Sequence, residues 1–219
     1  IKKQSISVTE TVIIDDGSFE PCPLEELIED SKIRIIRLDE NRGRGYCRNL
    51  AFKETSGEYV LNLDATNSLE ERFIEKALPH FLDSQIAAVS GALISKKKDC
   101  TVDRWRARHL FHESSLKQAW AEPCSMLITY GTLLARKFID EVGGFNPRAL
   151  YYRNADMEYS LKIRQAGGKL LQMELPLIQE RHHGYHDADP EYRDVQSKKN
   201  YDRILEKYRG KEAILSPRR

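Results

Sequence analysis

Long hydrophobic runs are missing from this sequence. No stretch approaches the ~20 consecutive apolar residues that a bilayer-spanning helix requires, so no segment is expected to cross a membrane as a helix. Cysteine is scarce and scattered, at Cys22, Cys47, Cys100 and Cys124. No two of them have the close spacing of a zinc knuckle or a dithiol redox motif, and a chain of 219 residues does not need a disulfide framework. Free thiols in a reducing cytoplasm are therefore expected. An excess of one charge is missing too. There are 35 Lys and Arg against 34 Asp and Glu, a formal net charge of +1. That removes the whole-chain electrostatic footprint of a nucleic-acid binder, and nucleic acid is not an expected partner. The local positive excess sits late, in Lys198, Lys199, Arg203, Lys207, Arg209, Lys211, Arg218 and Arg219. It reads as a solvated helix face and tail, with peripheral contact to a membrane surface as the alternative. Internal repeats and low-complexity linkers are absent as well.

What is present describes a globular chain. Hydrophobic residues make up 40% and charged residues 32% of it, enough for one sizeable core. Residues 11–14 are a β-branched run that stops at Asp15, Asp16, Gly17 and Ser18, as a buried strand does when it enters a functional loop. A short helix is predicted over 24–30 and a second strand over 32–38. Gly43 and Gly45 break the chain before a helix over 46–55. Residues 59–63 form a third strand that delivers Asp64 to its end. Ser68 and Glu71 have the spacing of a capping box and predict a helix over 68–82. A fourth strand covers 86–93. The stretch 96–122, with Trp105, Trp120, His109 and His112, has no regular pattern; the two Trp side chains read as core or lid packing, with stacking on a sugar ring as the alternative. A strand or strand and turn over 125–134, a helix over 137–142 stopped by Gly143 and Gly144, a helix over 156–166, a strand over 170–178 and a terminal helix over 190–208 complete the chain. Alternation of strands and helices implies an α/β fold with a mixed, mostly parallel sheet flanked by helices. In such sheets ligands bind beyond the carboxyl ends of the strands, where Asp15, Asp16 and Asp64 all fall.

Three constellations carry chemistry. In Asp15-Asp16-Gly17-Ser18 a carboxylate at a strand end can accept hydrogen bonds from a base or a ribose, and glycine lets backbone approach a ligand; the same four residues also make an ordinary turn. Asn41, Gly43 and the following helix start, with Arg44 and Arg48, have the form of an anion site. The third is the strand ending in Leu61-Asn62-Leu63-Asp64-Ala65-Thr66-Asn67.

The order of these motifs resembles the inverting glycosyltransferases of family 2, which have the Rossmann-like GT-A fold. The resemblance runs through Asp15 to Ser18, Asn41 to Gly43, Cys47-Arg48-Asn49, Gly57-Glu58-Tyr59 and Asp64-Ala65-Thr66. It continues in Val142-Gly143-Gly144-Phe145-Asn146, in Asp156-Met157-Glu158-Tyr159 with Arg164 and Gly167, and in Asn200-Tyr201 with Lys207-Tyr208. It implies a core over 1–186 and a C-terminal helix and basic tail over 187–219. It also implies that residues 1–4 end a first helix, with the family's first strand about 25 residues upstream, a spacing that typical strand, loop and helix lengths give as well.

The activity implied is transfer of a sugar from a nucleoside-diphosphate donor, by resemblance a UDP-sugar, to a hydroxyl of a glycan, a lipid-linked molecule or a protein, with inversion. Asp156 is the implied base, because it starts a helix whose N-terminus stabilises a bare carboxylate; Glu158 is the second candidate. Asp15, Asp16, Asn41, Gly43, Arg48 and Asp64 are the implied nucleotide-binding residues. Asp64, Asn67, His182 and His183 are what remains to hold a divalent cation such as Mn²⁺ or Mg²⁺. Thr66 stands where the family has a second Asp, which weakens that expectation, since these ions favour carboxylate oxygen. Without the resemblance, His182 and His183, with His186, read as a polar surface cluster. The chain is expected in the cytoplasm, with membrane association through the basic tail. The competing functions are a non-catalytic nucleotide- or glycan-binding module of a larger glycan-synthesising protein, favoured by Thr66, and a nucleotidyltransferase, disfavoured by the Asp156 helix.

Overall fold

The computed structural model describes residues 1–20, 31–95, 101, 104, 121–124, 126, 127, 129–146, 155–179 and 190–209. The short helix predicted over 24–30, Trp105, Trp120, His109, His112, Cys22, Cys100, His182, His183 and the end of the basic tail lie outside them.

The strands are β1 (Thr11–Asp15), β2 (Ile33–Arg37), β3 (Tyr59–Asn62), β4 (Asn67–Leu69), β5 (Ile86–Ser95), β6 (Ala121–Pro123), β7 (Thr132–Ala135) and β8 (Lys169–Gln179). The helices are α1 (Arg44–Glu54), α2 (Phe73–Ala77, continued as a 3₁₀ turn over Leu78–Leu82), α3 (Arg136–Val142), α4 (Ala155–Gln165) and α5 (Pro190–Tyr208). β1 and β2 pair in parallel as a two-stranded sheet. A six-stranded sheet runs β3-β7-β5-β8-β4, with β6 also on β8. The architecture is α/β with mixed sheets, as expected, but the parallel share is smaller than alternation suggested. β5 and β8 are parallel, while β3–β7, β5–β7, β4–β8 and β6–β8 are antiparallel. β7 returns between β3 and β5 with reversed direction, and no period in the sequence encodes which neighbour a strand takes.

β5 sits at the centre because it is apolar on both faces: Ile86, Ala87, Ala88, Val89 and Ala92 are all buried. The core around it gathers Phe73, Ala77, Leu133, Leu134, Phe138, Ile139, Tyr159, Ile163 and Leu170. α4 is covered on two sides. Ala155, Tyr159 and Ile163 face this core, while Leu161 and Met157 pack against Ile204 and Tyr208 of α5.

One local expectation fails. Residues 67–69 do not start a helix. They pair with β8, Asn67 with Gln179, Ser68 with Ile178 and Leu69 with Leu177, so the helix begins at Phe73 and Ser68 with Glu71 is not a capping box. A sheet edge in need of a partner overrides a local cap signal. Residues 1–4 form a single turn closed by Gln4 N–H on Ile1 O at 2.9 Å. The Gln4 side chain supplies what the box would have: its amide accepts from Ile74 N–H at 3.1 Å and donates to Glu70 O at 2.7 Å.

Candidate functional site

The ends of β1 and β2 are locked together by the motif residues themselves. Gly17 has φ 68°, and a Cβ there would lie 2.6 Å from the backbone carbon of Glu40, so glycine is required for the close approach. Asp16 accepts hydrogen bonds from the backbone N–H of Arg42 at 2.7 Å and of Gly43 at 2.9 Å. The N–H groups that read as an anion cradle therefore already hold an anion, the chain's own Asp16. Asp15 is buried and turned into its own loop. It accepts from Ser18 N–H at 2.9 Å and faces Arg37 at 3.8 Å; the hydrogen bonds from Ser18 and the Arg37 charge hold its carboxyl below the usual range against the cost of burial. Asn41 is exposed beside this loop. So Asp15, Asp16 and Gly43 shape the edge rather than presenting open groups.

α1 carries the loop into a second cluster. Arg48 is buried, and its guanidinium forks. Nη2 donates to Asp64 Oδ1 at 3.0 Å; Nη1 donates to Thr129 Oγ1 at 2.8 Å and lies 3.6 Å from Asp156 Oδ1. Burial opposes its charge, but the carboxylates of Asp64 and Asp156 more than offset that and raise its pKa. The Phe145 ring lies under it at 5.1 Å and stacks on Tyr159 at 4.2 Å. Arg44, one turn earlier, reaches Asp64 Oδ2 at 4.0 Å. Asn49 pins the next motif: it donates to Phe145 O at 2.9 Å and accepts from Phe145 N–H at 2.7 Å. A Cβ on Gly144 would collide with it.

The structure thus brings Arg48, Asp64 and Asp156 together. Asp156 lies in the first turn of α4, with its side chain a quarter exposed, and Thr129 donates to its Oδ1 through both backbone N–H, at 3.3 Å, and hydroxyl. Tyr130 borders the same acids; burial, then Asp156 and Asp64, push its phenol up. Glu158 does not join them. It is buried against α5, accepting from Arg203 at 2.9 and 2.8 Å with Lys207 at 3.7 Å. Two residues along a helix is a rotation of about 200°, so Asp156 and Glu158 point apart, and Glu158 is a packing anchor rather than a second base. Arg48 likewise is buried and committed to Asp64, Asp156 and Thr129. Thr129 and the Arg203–Glu158 pair were missed from sequence; a lone Thr before Tyr130-Gly131 carries no signal, and neither does a helix partner 45 residues away.

The donor set does not suit a divalent cation among the described residues. Asp64 is met by two guanidiniums, Thr66 and Asn67 are neutral, and two carboxylates against two arginines leave the cluster uncharged. No group of three His, Cys, Asp or Glu that could hold a metal occurs among them. Asn67 is buried, and neither of its amide atoms has a hydrogen-bond partner among the described residues.

Residues 1–143 match the family model described as glycosyl transferase family 2. The teichoic acid poly(glycerol phosphate) polymerase of Staphylococcus epidermidis is 28% identical over 142 residues, 62% of this chain and 20% of that protein. The pre-mycofactocin glycosyltransferase of Mycobacterium tuberculosis is 22% identical over 176 residues, 78% of this chain and 37% of that one. The chain thus spans well under half the length of either relative. Among solved structures, GalNAc-T7 with UDP, GalNAc and Mn²⁺ superposes with a TM-score of 0.67 at 18% identity, covering 90% of this chain and 41% of that chain. A mannosyltransferase from Pyrobaculum calidifontis in complex with GDP-Man and Mn²⁺ gives 0.61 at 20% identity, covering 85% and 52%. These likenesses establish the GT-A fold.

Proposed function

The chain belongs to glycosyl transferase family 2, and from that premise we propose that it moves a sugar from a nucleoside-diphosphate donor, a UDP-sugar by resemblance, to a hydroxyl of a glycan, lipid-linked or protein acceptor. The reaction is one displacement with inversion. The acceptor oxygen bonds to the anomeric carbon as the bond to the diphosphate breaks, and the hydroxyl proton passes to Asp156. What carries the reading is the placement of Asp156: a partly exposed carboxylate in a helix first turn, held in one cluster with Asp64 at the end of β3. Asp64 and the Asp15–Ser18 edge are the proposed nucleotide side. Arg44, whose side chain is two-fifths exposed, is the proposed cation for the leaving diphosphate. By the same reading the chain works in the cytoplasm, with its basic C-terminal helix toward a membrane surface; Lys198 and Lys199 are exposed there.

The test is Asp156→Asn in the full-length protein, with release of nucleoside diphosphate measured at saturating donor across UDP- and GDP-sugars. Loss of a general base costs ~10²–10⁴-fold in rate, or roughly 3–5 kcal/mol of barrier, while donor affinity stays. Near-normal turnover in a stable variant removes Asp156 from the mechanism. A wild type that turns over no donor transfers the case to the non-catalytic module.

A further inference from the structure

The three donors that converge on Asp156 all reach the same atom. Thr129 N–H lies 3.3 Å from Oδ1, the Thr129 hydroxyl donates to Oδ1, and Arg48 Nη1 stands 3.6 Å from Oδ1. Among the described residues no donor reaches Oδ2. The Thr129 hydroxyl has its own proton committed by a second contact: it accepts from Arg48 Nη1 at 2.8 Å, so its hydrogen is left to point at the carboxylate. Thr129 itself is buried, 2% exposed. It cannot drift, because its carbonyl accepts from the Asn62 amide and Gly131 N–H donates back to Asn62 O at 2.6 Å. One turn further along α4, Ser160 Oγ accepts from Leu127 N–H at 3.1 Å, so two residues on one face of α4 grip alternate amides of this segment.

We propose that Thr129 is a positioning residue: its hydroxyl and amide tie down Oδ1 of Asp156, orient the carboxylate and leave Oδ2 as the atom that takes the acceptor proton. The inference rests on Asp156 acting as the base and adds which oxygen acts and what aims it. The chain Arg48 N–H to Thr129 O–H to Asp156 Oδ1 also links the base to Asp64, because the other arm of Arg48 holds Asp64. A hydroxyl that merely filled core space would matter for folding and not for turnover.

The experiment uses the full-length protein and follows release of UDP from UDP-N-acetylglucosamine and of GDP from GDP-mannose in wild type, Thr129→Val, Thr129→Ser, Asp156→Asn and the double variant Thr129→Val/Asp156→Asn. Thr129→Val keeps shape and removes the hydroxyl. Misaiming a reacting group by about 1 Å can cost ~10²-fold, so kcat is expected to fall about 10–100-fold with donor KM within about twofold. Thr129→Ser restores the hydroxyl and is expected to recover most of that loss. In the Asp156→Asn background Thr129→Val is expected to change the residual rate little, since what it aims is gone. If Thr129→Val does not fold, Thr129→Ala takes its place with the same readings. An inactive Asp156→Asn beside a fully active Thr129→Val overturns the positioning role alone. So does a Ser variant as impaired as Val, or losses that simply multiply in the double variant. An Asp156→Asn enzyme with wild-type turnover, or a wild type that releases neither diphosphate, overturns the base and the positioning role together.

Discussion

Asp16 shows how one carboxylate can be legible as functional and still do a different job. Its loop was expected to meet a nucleotide; in the fold both of its oxygens hold the amides of Arg42 and Gly43. What it contributes is the shape of the 41–43 loop. Charge-assisted hydrogen bonds are worth about 1.5–3 kcal/mol each, so Asp16→Ala should free the 41–43 loop and weaken uridine diphosphate binding by more than about tenfold. Calorimetry on the full-length protein decides it, and equal affinity in wild type and variant removes this edge from the nucleotide site. Thr66 makes a second case. Around Asp64 the charges cancel, which predicts weak dependence on divalent cations. Thr66→Asp adds a carboxylate and should tighten Mn²⁺ binding in a direct titration. An unchanged isotherm removes this position from any cation site. Asp64, Arg48 and Asp156 were visible as residue types at strand ends and helix starts. Thr129 was not, because its role comes from contacts across 81 and 27 residues of sequence.

At the scale of elements, α4 is held from both sides, and Glu158 is the polar part of the outer grip. Burial pushes its carboxyl up, but Arg203 first, then Lys207 and Lys162, more than offset that and hold it below the ordinary range. A depressed carboxylate stabilises the fold above its unfolded value, about 4.3, and loses that contribution as pH falls through the folded value. Glu158→Gln should therefore melt lower than wild type at neutral pH, and the gap should close as pH drops below about 4.3. A gap that does not change with pH would mean the pair contributes only packing. Arg203→Met removes both hydrogen bonds to Glu158 but leaves Lys207 at 3.7 Å, and should cost about 2 kcal/mol, with donor turnover at saturation changed far less than by Asp156→Asn. The element that sequence misread, 67–69, failed for a related reason: pairing with β8 is a long-range contact, and it outweighed a cap signal made of two side chains.

Across the whole molecule, α1 joins the two-stranded sheet to the six-stranded one. Its start is held through Gly43 by Asp16. Its middle is held by Arg48 on Asp64 and Asp156. Its end is held by Arg136, which donates to Phe52 O at 2.6 Å and Gly57 O at 3.1 Å. Arg48→Ala would leave two partly buried acids facing each other without their shared cation. That should cost about 3 kcal/mol, or roughly 10 °C in melting temperature for a chain of this size. A shift under about 2 °C would show that the guanidinium is dispensable to the fold and leave it a role in turnover alone.

Local composition by itself determined most of the elements, though not β4 or β6, together with the apolar β5, the breaks at Gly43 and Gly143, and which acids stand at strand and helix ends, because these depend on neighbours within one or two turns of chain. The motif order determined the family. Tertiary structure decided the rest: that most strand pairings are antiparallel, that Asp16 fills the anion cradle, that Glu158 faces α5, and that Arg48 and Thr129 bind Asp64 and Asp156 into one neutral cluster. Each of these depends on which distant segment comes to lie alongside, and that is set by burial of the shared core, where every apolar side chain has many acceptable neighbours and only the complete packing selects among them.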